Sequence, residues 1–122
     1  MGMSQPRTYE GNCHCGAIRY EVRLDPPAKA IACNCSICSR AGWLLAFVPA
    51  TAFHLIAGDE SLSEYQFGKK ESHFPFCKNC GVRAFARSAD RTAKGTVAVN
   101  LRCVAGIDLT KLPVETVDGA SR

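Results

Sequence analysis

Gly11-Asn12-Cys13-His14-Cys15-Gly16-Ala17-Ile18-Arg19-Tyr20-Glu21-Val22-Arg23 joins the two features that decide the fold: a close pair of cysteines ending in glycine, then a strict alternation of apolar and polar side chains. A period of two puts Ile18, Tyr20 and Val22 on one face of an extended segment and Arg19, Glu21 and Arg23 on the other, which is a half-buried strand. Asp25-Pro26-Pro27 breaks it, and residues 29–33 resume an extended path into Cys33-Asn34-Cys35-Ser36-Ile37-Cys38. Residues 44–48 form a short apolar run closed by Pro49. Residues 53–56 and 62–67 flank the turn signal Gly58-Asp59 and read as a hairpin. Residues 73–76 run into Cys77, residues 82–87 alternate Val82, Ala84 and Ala86 against Arg83, Phe85 and Arg87, and residues 96–101 make a last strand. No stretch spaces its apolar residues at helical period over three turns. The expected architecture is all-β and mainly antiparallel, about eight short strands, with one helical turn before Pro113 and a polar, loose end.

The eight cysteines fall as Cys13-x-Cys15, Cys33-x-Cys35-x-x-Cys38, Cys77-x-x-Cys80 and a lone Cys103. Sulfurs one or two residues apart do not readily bridge each other, whereas both reach a metal at the ~2.3 Å Zn–S distance of a tetrahedral set. Cys15 and Cys80 are each followed by glycine, Gly16 and Gly81, which lets the chain turn so that backbone N–H groups point at the sulfurs. That shared ending pairs Cys13, Cys15, Cys77 and Cys80 as one closed, structural Zn2+ site linking the first strand region to the late one. The middle cluster offers Cys33, Cys35 and Cys38 as ligands and has no near neighbour for a fourth. Three protein ligands with an open position is the arrangement of a reactive metal, so these three are the catalytic candidates and a second Zn2+ is expected. Cys103, in Asn100-Leu101-Arg102-Cys103-Val104, either closes that set or packs as a core thiol on the strand face of Leu101.

One domain fits 122 residues, and 47% hydrophobic with 21% charged residues is the composition of a chain with a core. The expected limits are a flexible N-terminus over 1–8, a single zinc-binding domain over 9–112 and a C-terminal tail over 113–122. The formal charge of +4 falls to about +1 once seven thiolates and two Zn2+ are counted. Lys69-Lys70 is the only adjacent basic pair, which disfavours a mainly electrostatic nucleic-acid binder. No run approaches the ~18 apolar residues of a membrane helix, residues 1–8 hold no apolar run of signal-peptide length, and cysteines read as ligands fit a reducing compartment. The expected location is the cytoplasm.

Beside the middle cluster stands Ser39-Arg40-Ala41-Gly42-Trp43. Arg40 can bind a substrate carboxylate and Trp43 can wall a pocket; equally, Arg40 can be a solvated cation and Trp43 a core indole. His14 is read as an outward spacer within its knuckle, His54 and His73 as packed or surface side chains. No triad spacing, glycine-rich phosphate loop or carboxylate pair suggests another enzyme class.

Taken together, Gly11-Asn12-Cys13-His14-Cys15-Gly16 with Tyr20, the run from Cys33 to Cys38, Phe76-Cys77-Lys78-Asn79-Cys80-Gly81-Val82 and Val99-Asn100-Leu101-Arg102 resemble the glutathione-dependent formaldehyde-activating enzyme family, whose zinc domain is similar to that of centromere protein V. The likeness covers residues 9–112. It implies a β-tent-like fold of zinc-pinned sheets, a structural zinc on Cys13, Cys15, Cys77 and Cys80, and a catalytic zinc on Cys33, Cys35 and Cys38. The activity implied is a carbon–sulfur lyase that joins formaldehyde and glutathione into S-(hydroxymethyl)glutathione or releases them. Zinc held by three thiolates suits a fourth thiolate better than a hydroxide. The expected partners are therefore glutathione or another small thiol and formaldehyde or another small aldehyde, with neither nucleic acid nor membrane. Two other readings stay open. One is a thiol-binding or protein-interaction module without turnover, as in guanine-nucleotide-releasing chaperones of similar zinc fold. The other is chromatin or nucleic-acid binding, as centromere protein V suggests, which wants a basic arm.

Overall fold

The structure is a computed structural model that describes residues 7–25, 27, 29–68, 72–88 and 94–121. In chain order the described elements are β1 (Arg7–Asn12), β2 (Arg19–Leu24), β3 (Ala30–Cys33), α1 (Ser36–Ala41), β4 (Leu45–Pro49), β5 (Phe53–Ala57), β6 (Leu62–Tyr65), β7 (Phe74–Cys77), β8 (Phe85–Arg87), β9 (Thr96–Asn100) and β10 (Val114–Val117), joined in places by single 3-10 turns. They form a β1-β2-β5 sheet, a five-stranded β10-β3-β4-β9-β8 sheet and a β6-β7 ribbon. Every pairing is antiparallel except β10 with β3, so the all-β, mainly antiparallel expectation is borne out.

The alternation in β2 decides which face is buried. Tyr20 and Val22, with Ile18 just before the strand, are sealed from solvent, while Arg19 and Arg23 face out. The Tyr20 ring stacks on Phe53 of β5 at 4.9 Å and meets Phe85 of β8 edge-on at 6.1 Å, which ties the first sheet to the second. Val48, Val97 and Val99 complete this main core from one face of the five-stranded sheet. The opposite face carries Ile31, Leu45, Ala86 and Ala98 beneath Trp43 and Phe74, a second and smaller cluster. With both faces covered, Ala84, Phe85 and Ala86 are all buried, so the alternation read over 82–87 does not mark an exposed face there.

Several expectations are corrected. Residues 53–56 and 62–67 do not form a hairpin: β5 pairs with β2 and β6 with β7. The segment Asp59–Ser61 is a 3-10 turn that passes the chain from one sheet to the next, because β5 completes the apolar face of β2 through Phe53. The end expected to be loose holds the predicted turn, at Leu109–Lys111, and then β10, which runs parallel to β3 from Val114 opposite Ala30 to Val117 opposite Cys33. Lys29 and Glu115 pair across that edge. At the other terminus β1 already begins at Arg7, and residues 1–6 of the expected flexible N-terminus lie outside the described residues, as does Lys69-Lys70. Strand β9 stops at Asn100, and Leu101–Cys103 is a 3-10 turn whose Arg102 N–H donates to the Asn100 side chain while the Leu101 N–H donates to Leu44 O. Among the described residues no helix is long and apolar enough to cross a membrane.

Candidate functional site

Two turns of equal depth bring the first four sulfurs together. The Cys13 N–H donates to Ile18 O at 3.1 Å and the Cys77 N–H to Val82 O at 3.0 Å, so each knuckle closes between residues five positions apart although the cysteine spacings differ. Gly16 and Gly81 take φ values of 84° and 80°, the left-handed backbone the sharp turn needs. Cys15 Sγ lies 3.6 Å from both Cys13 Sγ and Cys77 Sγ, against roughly 3.8 Å for two sulfurs each 2.3 Å from a tetrahedral zinc. All four ligand atoms lie within 4.8 Å of one another, and every cysteine is a free thiol. Ile18 N–H donates to Cys13 Sγ at 3.3 Å and Asn79 N–H to Cys77 Sγ at 3.4 Å, bonds that favour thiolates. The N–H groups of Val82 and Cys15 hold the Cys80 thiol down to about 6. The donor set thus fits a structural divalent cation, and Cys13 and Cys77 build it into the main core.

The three other cysteines come from one short segment. Cys33 ends β3, Cys35 is the N-cap of α1 and accepts the Cys38 N–H at 3.5 Å, and Cys38 sits in the first turn. Their sulfurs also lie within 4.8 Å of one another. Burial pushes the Cys38 thiol up to about 12, against the pull of Trp43, and the neighbouring Cys35 and Cys33 sulfurs add to the rise. Cys35 is drawn the other way: burial opposes its ionisation, but the Cys38 N–H and the Cys38 and Cys33 thiols outweigh it. Three thiolates this close repel one another unless a cation sits between them, and the set fits one. The C-terminal segment covers the cluster. Asn34 N–H donates to Val117 O at 3.1 Å, Ala120 N–H to Asn34 Oδ1 at 2.9 Å, and Asn34 Nδ2 to Asp118 Oδ1 at 3.1 Å. Gly119 is so close that an added Cβ would stand 2.4 Å from Cys33 Sγ.

Beside this cluster the smaller hydrophobic layer leaves a cavity of about 320 Å3, lined by Cys33 and Cys38. Its apolar walls are Trp43, Leu45, Phe47, Phe74, Ala86 and Ala98. Ala86 and Ala98 face each other in register across β8 and β9, and Ala98 faces Phe47 of β4; two methyl groups where larger side chains would fill the layer keep the space open. Arg87 also lines the cavity, but its guanidinium lies 5.4 Å over Phe53 and 5.1 Å over Phe85, on the main-core side of the sheet. The Trp43 Nε1–H is buried with no formed hydrogen bond, yet it favours the Cys38 thiolate, which sets the indole edge beside that sulfur.

Of the residues singled out from the sequence, Trp43 therefore shares the cavity with Cys33 and Cys38. Arg40 does not line it: its Nη1 donates to Ser36 O at 2.9 Å, on an exposed part of α1 beside Tyr65 and Phe67. Cys103 lies near Cys13 and Cys80 rather than the middle cluster, packs against the main core, and burial pushes its thiol up to about 11. It borders a broader concavity over Asn12, His14, Asn100 and Arg102. His14 and His54 are exposed, and His73 Nδ1 pairs with Glu64 at 2.7 Å, so none of the three joins a cysteine set. Sequence reading missed the Ala86–Ala98 floor and the Gly119 cover. The β-branched residues Val114, Thr116 and Val117 were the available signal for the latter.

A small, mostly antiparallel β protein with a core-embedded four-cysteine set and a second, three-cysteine set beside a cavity belongs to the class of cysteine-rich β proteins whose clustered sulfurs could hold metal ions. Within that class the chain belongs to the glutathione-dependent formaldehyde-activating enzyme family, whose sequence profile matches residues 8–114. It is also similar to the crystal structure of a Rhodobacter sphaeroides protein, a structural-genomics target, with 32% identity and a TM-score of 0.74 over 87% of this chain and 99% of that one. The resemblance read from the cysteine clusters is borne out, and membership supports a formaldehyde-activating, glutathione-related function.

Proposed function

We propose that the chain is a zinc-dependent carbon–sulfur lyase of the S-(hydroxymethyl)glutathione type, with Cys33, Cys35 and Cys38 at the reacting centre and Cys13, Cys15, Cys77 and Cys80 holding a structural zinc. The observation that carries this is the cavity opening on Cys33 and Cys38, an incomplete ligand set, while the other set has its full four sulfurs. A zinc ion at the three-cysteine centre supplies an open coordination position that favours the thiolate of a substrate thiol near neutral pH. The chain's own residues do the rest. The N-cap position of Cys35 brings its sulfur to the Cys38 N–H, Trp43 walls the space beside Cys38, and the apolar surround keeps thiol and aldehyde together. The sulfur bonds to the carbonyl carbon, the C=O π bond breaks, and the proton lost by the thiol ends on the carbonyl oxygen. Release is the reverse. The addition is proton-neutral overall, so it does not require a carboxylate or imidazole held in the cavity, and the described lining has neither. Thiolate chemistry of this kind belongs in a reducing compartment, and we infer the cytoplasm.

The described lining, with neither carboxylate nor imidazole, also favours a second reading, a thiol-binding module without turnover. Exchange spectroscopy by NMR between glutathione and S-(hydroxymethyl)glutathione, with 13C-formaldehyde, separates the two. Zinc-loaded protein is expected to speed interconversion by about tenfold or more, Cys35→Ser to abolish the gain, and Cys103→Ser to keep it. Saturable thiol binding with no change in exchange rate would leave the binding module in its place.

A further inference from the structure

We infer that the indole N–H of Trp43 is a hydrogen-bond donor to the Cys38 sulfur, and that this bond makes Cys38 a spectator ligand that does not compete with the substrate thiol for the aldehyde. The inference rests on the metal-held thiol chemistry proposed above and makes Trp43 a positioning residue at that same centre. An aldehyde in this cavity lies beside two protein sulfurs, Cys33 and Cys38, as well as the thiol it is to meet. Either could add to it: the sulfur bonds to the carbonyl carbon, the C=O π pair passes to oxygen, a solvent proton completes the hydroxymethyl group, and the centre is blocked. A thiolate that accepts a hydrogen bond is the poorer nucleophile, because the donor holds the electron pair that would attack. The donors are placed accordingly. Cys35, which does not line the cavity, accepts the Cys38 N–H at 3.5 Å. Cys33 is covered by Gly119. Cys38 is left to Trp43, against which it packs in the smaller hydrophobic layer. The indole is 3% exposed and its Nε1–H has no hydrogen-bond partner among the described residues, although buried donors are nearly always paired. It stands beside Cys38 Sγ and favours the thiolate there, so the acceptor it lacks is the one that forms when Cys38 ionises on a metal. The ring has little freedom to turn elsewhere. Gly42, left-handed at φ 68°, donates its N–H to Cys38 O at 3.0 Å, and its own O accepts Arg102 Nε–H at 3.3 Å. Leu44 O accepts the Leu101 N–H at 2.7 Å. Trp43 is thus pinned through both chain neighbours, and Phe74 lies along its ring with centroids 6.4 Å apart.

Trp43 is the only tryptophan in the chain, so 15N-labelled protein gives a single indole resonance. Titration with Zn2+ from about one to about two ions per chain is expected to shift that proton downfield and to slow its exchange with solvent. Replacing the indole by benzothiophene keeps its shape and puts sulfur where the N–H was, and Trp43→Phe removes the donor with an ordinary side chain. These proteins and the wild type, loaded with zinc at both sets, are treated with iodoacetamide, and each cysteine is followed by peptide mass spectrometry. Cys38 is expected to alkylate about tenfold faster without the donor, while Cys33 and Cys35 change by less than about threefold. Loss of zinc would raise all three together; loss of the bond raises Cys38 alone. An indole proton that zinc does not move, or a Cys38 rate that is unchanged in the benzothiophene protein or rises only with the other two, would overturn the role of Trp43 and leave the metal-held centre standing. A wild type that takes up no second zinc would overturn both.

Discussion

The two cysteine sets use the same ligand atom to opposite ends. In the four-cysteine set the sulfurs come from knuckles 62 residues apart at Cys15 and Cys77, two of the four are sealed in the main core, and backbone N–H groups already favour their thiolates. In the three-cysteine set every ligand comes from the end of β3 and the first turn of α1, a helix with no buried residue, and a cavity lies alongside. A metal that joins distant segments contributes to folding, because loop closure is part of what its binding offsets. A metal on one local segment closes no long loop, so it is free to be open on one side. The contrast teaches that sequence separation between ligands, more than their number, sets how much a bound metal would add to folding in this fold.

The sharpest way to break the contrast is to remove one ligand from each set. Cys77→Ser or Cys80→Ser is expected to abolish cooperative folding, since zinc binding worth about 10 kcal/mol or more is coupled to it in small zinc domains; soluble protein with a normal melting curve and unchanged zinc would show the four-cysteine set is not structural. Cys35→Ser or Cys38→Ser is expected to keep the fold, with a melting temperature lowered by no more than about 4–8 °C, and to reduce zinc from about two to about one per chain. Unfolding of both variants would erase the distinction.

Gly119→Ala tests the cover instead of the ligands. Its new methyl group meets Cys33 Sγ and Cys35 Cβ, so the three-cysteine set is expected to lose about 10–100-fold in zinc affinity while the four-cysteine set keeps its own. Equal affinities in variant and wild type, by competition with a chelator, would mean that the C-terminal segment yields and Cys33 does not. The smallest effect concerns acid. Metal binding needs thiolates, and Cys80 is held down to about 6 while burial pushes Cys38 up to about 12. Within the four-cysteine set the raised Cys77 offsets the lowered Cys80, so the order rests on ligand number: with three sulfurs beside a cavity against four, two of them sealed in the core, the three-cysteine set is expected to release zinc about one pH unit above the four-cysteine set as pH falls. An indicator-dye titration following both release steps checks the order; a single step, or the reverse order, would count against it.

What was legible in the sequence was local. The Ile18-Tyr20-Val22 alternation and the glycine-ended knuckles declare themselves within a dozen residues, because strand period and turn geometry act between neighbours. Cys33, Cys35 and Cys38 were legible as a group for the same reason, but α1 was not, since six residues without a buried face leave no periodic trace. The expected hairpin failed because the partner of β5 is chosen by the apolar face of β2 and not by adjacency. Strand β10 was missed because its partner β3 lies far back in the chain and three of its four residues are exposed, which blurs the apolar pattern. Neither the Ala86–Ala98 floor nor the place of Cys103 near Cys13 and Cys80 leaves a mark in one dimension, since each is made by register between distant segments.

The parallel pairing of β10 with β3 also sets a timetable. In a chain made from its N-terminus, the thiols of the middle set emerge early, yet Asn34 meets its partners Asp118 and Ala120 only 84 and 86 residues later. All four sulfurs of the other set are out of the ribosome well before then. The four-cysteine set can thus assemble on the nascent chain, while the thiols of the three-cysteine set remain bare to metal donors and to oxidants until β10 docks. Cover arrives last, and the three-cysteine set is the last to be finished.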